Sequence, residues 1–471
     1  MAALAIPAAR LIRSAKHVVP GPFLVTEYLF SVPKDYRNPQ DGEIQLFARS
    51  ATKHEASVSA LEQPVSQRPW MVYLQGGPGF GNPEPQDFPL TRFVLSKGYQ
   101  ILFLDYRGVG LSTPVTADTI PPKASDQFEY LKHFRQDNNV RDLEAVRSYL
   151  TAGVADPVKK KWSIFGQSFG GFVCLSYLSK FPEGLSDVWI TGGLAPISRA
   201  PREVYQATFK KVYERNMVYY TKFPEDIATV RRIVAYLHAK KGGVQLPGGG
   251  RLTARRLLTI GDMFGFHGGL DNVHSMLLRM GMDLDQYGFF TRPTLDQFES
   301  YLPFDTSPIY AILHEAIYCY KNGVASNWAA QQVGQELQDF RWLSADNHGF
   351  DDPTFASDTT PLCFTGEMIF PFMFDDYPEL NRMKETAEML ARYDQWDDLY
   401  DEEQLKRNTV PVYAASYIED MYVDFDLARE TASKVNGIKT FETNIMYHNA
   451  IRARSDEVLS QLFKLREDII D

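Results

Sequence analysis

Short apolar runs alternate with stretches of helical period over the first part of this 471-residue chain. Apolar and polar positions alternate from Phe23 to Phe30 and again from Ile44, around a Pro-Lys-Asp-Tyr-Arg-Asn-Pro turn region. That pattern predicts a hairpin from Phe23 to about Lys53. The polar stretch from His54 to Arg68 reads as a surface loop. Trp70-Met-Val-Tyr-Leu and Tyr99-Gln-Ile-Leu-Phe-Leu read as buried strands, as do Trp162-Ser-Ile-Phe and Asp187-Val-Trp-Ile-Thr. Between them, Val140, Leu143, Val146 and Leu150 recur at helical spacing with charges in the gaps, predicting a helix over 139–150. Strands and helices in this alternation predict an α/β fold with a parallel sheet covered on both faces.

Beyond Gly193 the pattern changes to helical periods rich in aromatic and charged residues, punctuated by a glycine-rich loop at 242–250. Buried strands return only at Val410-Pro-Val-Tyr-Ala-Ala-Ser-Tyr and Ile438-Lys-Thr-Phe-Glu-Thr, and Arg452–Ile470 reads as a closing amphipathic helix. A chain of this length exceeds one ordinary core. We therefore expect a core formed by residues 1–195 and 409–471, split by a mostly helical insertion at 196–408.

Composition narrows the partners. A formal charge of −10 argues against nucleic acid or an anionic membrane and is compatible with a cationic substrate. An aromatic share of 13% favours aromatic-lined cavities. Three scattered cysteines make neither a disulfide framework nor a zinc cluster, which fits a reducing compartment. No apolar run reaches transmembrane length. At the N-terminus the apolar residues precede Arg10, Arg13 and Lys16, the reverse of a secretory signal. The expectation is a frayed terminus on a cytoplasmic protein, with a mitochondrial leader as the alternative. Nothing in the pattern specifies an oligomeric state.

The chemistry centres on Gly166-Gln-Ser-Phe-Gly-Gly, which joins the strand at Trp162 to a helix with Phe172, Leu175 and Leu178 on one face. A serine at the tip of a sharp strand-to-helix turn needs small neighbours and gains a helix N-terminus for developing negative charge. Ser168 is the candidate nucleophile. Such a serine needs a base and the base an orienting acid, in the chain order nucleophile, acid, histidine. His448 alone of nine histidines lies beyond the last candidate strand. The preceding strand is followed by Glu419, Asp420 and Asp424; Asp420 is the first choice, with the other two as alternatives. The remaining histidines, His267 and His314 among them, are assigned to packing. Gln75-Gly-Gly-Pro-Gly follows a strand where consecutive glycines let backbone N–H groups approach a substrate, so Gly77 and Phe169 are the expected oxyanion donors. Arg107, in Asp105-Tyr-Arg, is expected to brace the loops beneath the site through an ion pair. No metal-ligand spacing or phosphate-binding loop is present, so cofactor-free hydrolysis is expected.

Gln-Gly-Gly-Pro-Gly, Asp105-Tyr-Arg-Gly-Val-Gly-Leu-Ser and Gly166-Gln-Ser-Phe-Gly-Gly together resemble the proline iminopeptidases of the α/β-hydrolase superfamily. The longer form, with an enlarged cap, is the more similar. His314-Glu-Ala-Ile-Tyr-Cys, Phe364-Thr-Gly-Glu-Met-Ile-Phe-Pro, Glu419-Asp-Met-Tyr-Val and Tyr447-His-Asn extend the likeness from about Val18 to the end. Gln75 departs from it, standing where the shorter enzymes carry histidine. The resemblance implies an α/β-hydrolase fold with a large, mostly helical cap, a Ser168–His448–Asp420 triad, and release of N-terminal proline from peptides. A free N-terminal proline presents a charged amine on an apolar ring, so its pocket needs a carboxylate and apolar walls. Glu315 and Glu367, each in an apolar run and similar to the family's amine-binding glutamates, are the expected partners, with Tyr318, Trp328 and Phe370 as candidate walls. An esterase, amidase or lactone hydrolase acting on a neutral small substrate is the alternative within the fold, and a non-catalytic receptor is the alternative outside catalysis.

Overall fold

A computed structural model describes residues 5–54, 68–344, 350 and 359–468. Apart from its two ends, the loop expected from His54 to Arg68 lies outside the described residues, as does the end of the closing helix at 469–470.

Among the described residues, nine strands form one sheet in the order β1-β2-β3-β5-β4-β6-β7-β10-β11. They are β1 (Arg10–Val19), β2 (Phe23–Pro33), β3 (Glu43–Lys53), β4 (Trp70–Leu74), β5 (Gln100–Leu104), β6 (Trp162–Gln167), β7 (Leu185–Thr191), β10 (Val412–Tyr417) and β11 (Ile438–Thr443); β8 and β9 lie outside this sheet. The expected hairpin is β2–β3, paired antiparallel from Phe23↔Lys53 to Pro33↔Glu43. From β5 through β11 the neighbours run parallel. Period-two alternation splits the central strands between two apolar layers. Met71, Tyr73, Ile101 and Phe103 pack with Leu459 and Leu462 of the helix Ser455–Glu467. Val72, Leu74, Leu102 and Leu104 pack with Val140, Leu143 and the helix Phe169–Lys180. A sheet covered on both faces explains why its strands read as continuous apolar runs.

The expectation of a frayed N-terminus is corrected by β1, whose ten residues pair with β2 from Arg10↔Ser31 to Val19↔Phe23. Its side chains are nearly all exposed, so the backbone ladder is its main attachment and no burial pattern announces it. The chain between β7 and β10 is mainly helical, with the long helices Pro201–Lys222, Asp226–Ala239 and Gly269–Tyr287. The glycine-rich stretch is not wholly a loop: β8 (Val244–Gln245), inside it, pairs with β9 (Arg251–Leu252). No helix among the described residues is long and apolar enough to cross a membrane. Cys174, Cys319 and Cys363 are free thiols, all buried.

Two buried arginines tie the layers together. Arg107 grips Asp142 of the helix Gln136–Leu150 with two nitrogens, at 2.7 and 2.8 Å, and donates to the Lys34 and His133 carbonyls. Arg135 donates to the carbonyls of Cys319 and Asp397, at 2.6 Å each, and lies over the Trp396 ring. Removing one partner of such a buried pair leaves an uncompensated charge. Arg107→Ala is expected to lower unfolding stability by about 3–5 kcal/mol in urea titrations. A loss under about 1 kcal/mol would mean that the pair does not brace the fold.

Candidate active site

Parallel strands ending at one edge bring their following loops together there. The end of β4 supplies the Gln75 loop, β6 supplies Ser168, β10 supplies Asp420 and β11 supplies His448. Ser168 occupies the turn between β6 and its helix at φ 55° and ψ −125°, outside the region most L residues adopt. Its N–H donates to the Thr191 carbonyl at 3.0 Å and its own carbonyl accepts from Gly171 at 2.7 Å. The helix can press this closely on the sheet only because Gly170 lacks a side chain. A Cβ there would stand 2.0 Å from the Leu74 carbonyl oxygen.

Ser168, His448 and Asp420 form one line of hydrogen bonds. His448 Nε2 lies 2.8 Å from Ser168 Oγ and Nδ1 lies 2.7 Å from Asp420 Oδ2. Asp420 Oδ1 accepts from the N–H groups of Tyr422 and Val423, at 2.8 and 3.1 Å, so the carboxylate is pinned from its far side. The two alternative acids go elsewhere. Asp424 caps the helix Phe425–Lys434 by accepting from Leu427 N–H, and Glu419 faces Lys211 at 3.6 Å. Burial works against a charge on His448, but Asp420, helped by Glu367 and Asp262, more than offsets it and holds the imidazole above its ordinary value. This arrangement can take a proton from the serine and stabilise the resulting imidazolium.

The Gln75 loop lies directly against the serine: a Cβ on Gly76 would stand 3.1 Å from that of Ser168. Gly77 adopts φ 130°, available to glycine, and Phe169 opens the helix immediately after the serine. The two expected oxyanion donors thus flank Ser168, one on this loop and one at a helix N-terminus. Gln75 occupies the loop's start. Its Oε1 accepts from Tyr73 Oη–H at 2.9 Å and Arg452 at 3.1 Å, while its Nε2 donates to the Gly81 carbonyl.

The two glutamates expected to read an amine have different surroundings. Glu315 is buried, and its carboxylate accepts from the N–H groups of Ala329 and Ala330, at 3.2 and 2.9 Å, where the helix Ala329–Glu336 begins. Burial pushes it up to about 7 despite these bonds. Glu367 instead accepts from Tyr310 Oη–H and shares a narrow cavity with Asp262, Thr259, Phe304 and Met368. Tyr310 in turn packs on Phe80 of the Gln75 loop. Of the expected walls, Tyr318 packs edge-on against Phe172, Phe370 stacks on Phe372, and Trp328 donates to Glu388.

Asp262 was not singled out by the sequence reading. Its Oδ1 is buried without a hydrogen-bond partner. Burial raises both Asp262 and Glu367 above the usual carboxylate range; Asp262 raises Glu367 further, and His448 lowers both. The signal was available, because Asp262 stands in an apolar run, Leu257-Leu-Thr-Ile-Gly-Asp-Met-Phe, like those of the two glutamates.

A carboxyl raised in the folded state binds its proton more tightly there than in the unfolded chain. The stability it contributes is complete below the ordinary glutamate value of 4.5 and is lost as pH rises above it toward the elevated folded value. Glu367→Gln removes this dependence. Its melting temperature relative to wild type is expected to be higher at about pH 8 than at about pH 5; an equal difference at both would contradict the raised carboxyl.

The model of a family described as alpha/beta hydrolase fold matches residues 69–229. A proline iminopeptidase of Aspergillus aculeatus, aneH, is 41% identical over 470 residues, which is 99% of each chain. A proline iminopeptidase of Aeromonas sobria is 38% identical over 445 residues, covering 94% of this chain and 96% of its own. Likeness of this degree, end to end and on an α/β-hydrolase sheet, places the chain in the proline iminopeptidase family.

Proposed function

We propose that the protein is a serine aminopeptidase that releases N-terminal proline from peptides, with Ser168 as nucleophile, His448 as general base and acid, and Asp420 as its orienter. Ser168 Oγ attacks the prolyl carbonyl while His448 Nε2 takes its proton. The N–H groups of Gly77 and Phe169 stabilise the oxyanion, each donor contributing about 3–4 kcal/mol to a step of this kind. His448 then protonates the departing amine, leaving prolyl-Ser168. A water deprotonated by the same nitrogen hydrolyses that ester and restores the serine.

The observation that carries the substrate assignment is the pair of carboxylates beside His448. Among the described residues neither Asp262 nor Glu367 is ion-paired with a lysine or arginine, and Asp262 Oδ1 is buried unpartnered. Burying such groups is costly unless a cation answers them, and the secondary ammonium of an N-terminal proline is that cation. Glu367 and Asp262 would hold it, while Tyr310 orients Glu367. Glu315, the other expected amine partner, fixes the start of the helix Ala329–Glu336. A blocked amine carries no charge to neutralise the pair, which makes the enzyme an aminopeptidase.

Release of a chromogenic amine from free and N-blocked prolyl amides, with a simple acyl ester alongside, tests this reading. Only the free prolyl amide is expected to be cleaved, and Ser168→Ala should lower kcat by about 10⁴-fold or more. Glu367→Gln and Asp262→Asn should each cut kcat/KM for the prolyl amide by about 10²-fold, with little effect on any residual ester cleavage. Equal losses on both substrates would remove the amine role, and ester cleavage without prolyl cleavage would replace the substrate.

A further inference from the structure

His267, which the sequence assigned to packing, bridges the segment after β9 to the loop that carries His448. Its backbone N–H donates to Asn449 Oδ1 at 2.9 Å. Its ring Nε2 accepts from Tyr447 N–H at 3.2 Å, and the ring meets the Tyr447 ring edge-on at 4.9 Å. The residues on either side of His448 are therefore both bonded to one histidine. The same segment grips the acid loop: Tyr422, two residues past Asp420, donates from its hydroxyl to the Asp262 carbonyl and stacks on Phe266 at 5.3 Å. Tyr422 also lies against the His448 ring at 4.4 Å. Residues 262–267 thus hold both loops that must stay aligned for Ser168 to lose its proton.

We infer that His267 is a positioning residue for the catalytic base, setting the His448 loop through an acceptor nitrogen that exists only while its own ring is neutral. The inference rests on the triad reading given above. With Nε2 accepting, the neutral ring carries its proton on Nδ1. Protonation puts hydrogen on both nitrogens, so Nε2 then opposes the Tyr447 N–H instead of accepting it. The charged groups facing the ring are Arg454, which disfavours protonation, and Glu457, which favours it. Arg215 lies over the Tyr447 ring from the helix Pro201–Lys222. Burial, with Arg454, lowers the His267 pKa, so the ring is neutral at neutral pH and the brace is lost on the acid side. A residue that merely packs would show no such dependence.

The rate at which a fluorophosphonate labels Ser168 reads the triad without engaging the amine pocket. It would be measured from about pH 5 to about pH 9 for wild type, His267→Gln and His267→Phe. Glutamine keeps an acceptor that does not titrate, and phenylalanine keeps the ring contact without an acceptor. Wild-type labelling should fall on the acid side with a slope that steepens from one proton to two, while His267→Gln stays at one. At about pH 8 the glutamine variant should label within about threefold of wild type and the phenylalanine variant at least about tenfold more slowly. Identical pH profiles for wild type and His267→Gln would overturn the inference. Should His267→Phe fail to fold, that comparison still decides. Absence of labelling in wild type would overturn the triad reading itself, and with it this inference.

Discussion

Ser168 can present its hydroxyl to His448 because its backbone is held where few L residues settle, at φ 55°. Such a conformation costs on the order of 1–3 kcal/mol and persists only when its surroundings over-determine it. Here they do so from three sides. Thr191 on β7 accepts the serine N–H, Gly171 donates to its carbonyl, and Gly170 sits on the Leu74 carbonyl of β4. The elbow is thus fastened to both strands that flank β6, and side chains larger than hydrogen would force the helix away from the sheet. The Gln75 loop, His448 and Asp420 all converge on this point.

Charge is the second constraint. Asp420, Asp262 and Glu367 all act on the single imidazole of His448. Only Asp420 has its carboxylate fully occupied, by His448 on one oxygen and two backbone N–H groups on the other. Burial raises the other two, so in the free enzyme it favours their protonated form until a cation replaces the proton. In the reaction proposed above a substrate ammonium is that cation, so the group that is recognised also sets where the reacting bond lies. Residues 262–267 join the two tasks. Asp262 faces the cavity, while its carbonyl and His267 hold the loops of the acid and the base.

Much of this was legible along the chain. The strand–turn–helix around Ser168, the apolar β4 and β5, and a histidine beyond the last strand all carry local patterns. Other features carried none. β1 buries no face, so its periodicity is silent. Glu419, Asp420 and Asp424 are one short loop in sequence. Their fates diverge through contacts with Lys211, His448 and a helix N-terminus respectively. Glu315 and Glu367 look alike as carboxylates in apolar runs, yet one ends on backbone amides and the other on Tyr310 beside Asp262.

By itself, the sequence determined the α/β class and the strand–turn–helix around Ser168, because these follow from periodicity and from glycines within a few residues. Only the tertiary structure decided which acid meets His448, which carboxylates share the cavity, and that His267 spans to the histidine loop. Those partners are separated by 28 positions for Asp420 and His448 and by 180 for His267 and Tyr447. Pairings over such distances depend on how the loops at the strand ends converge with the segment between β7 and β10, and local sequence carries no signal of that convergence.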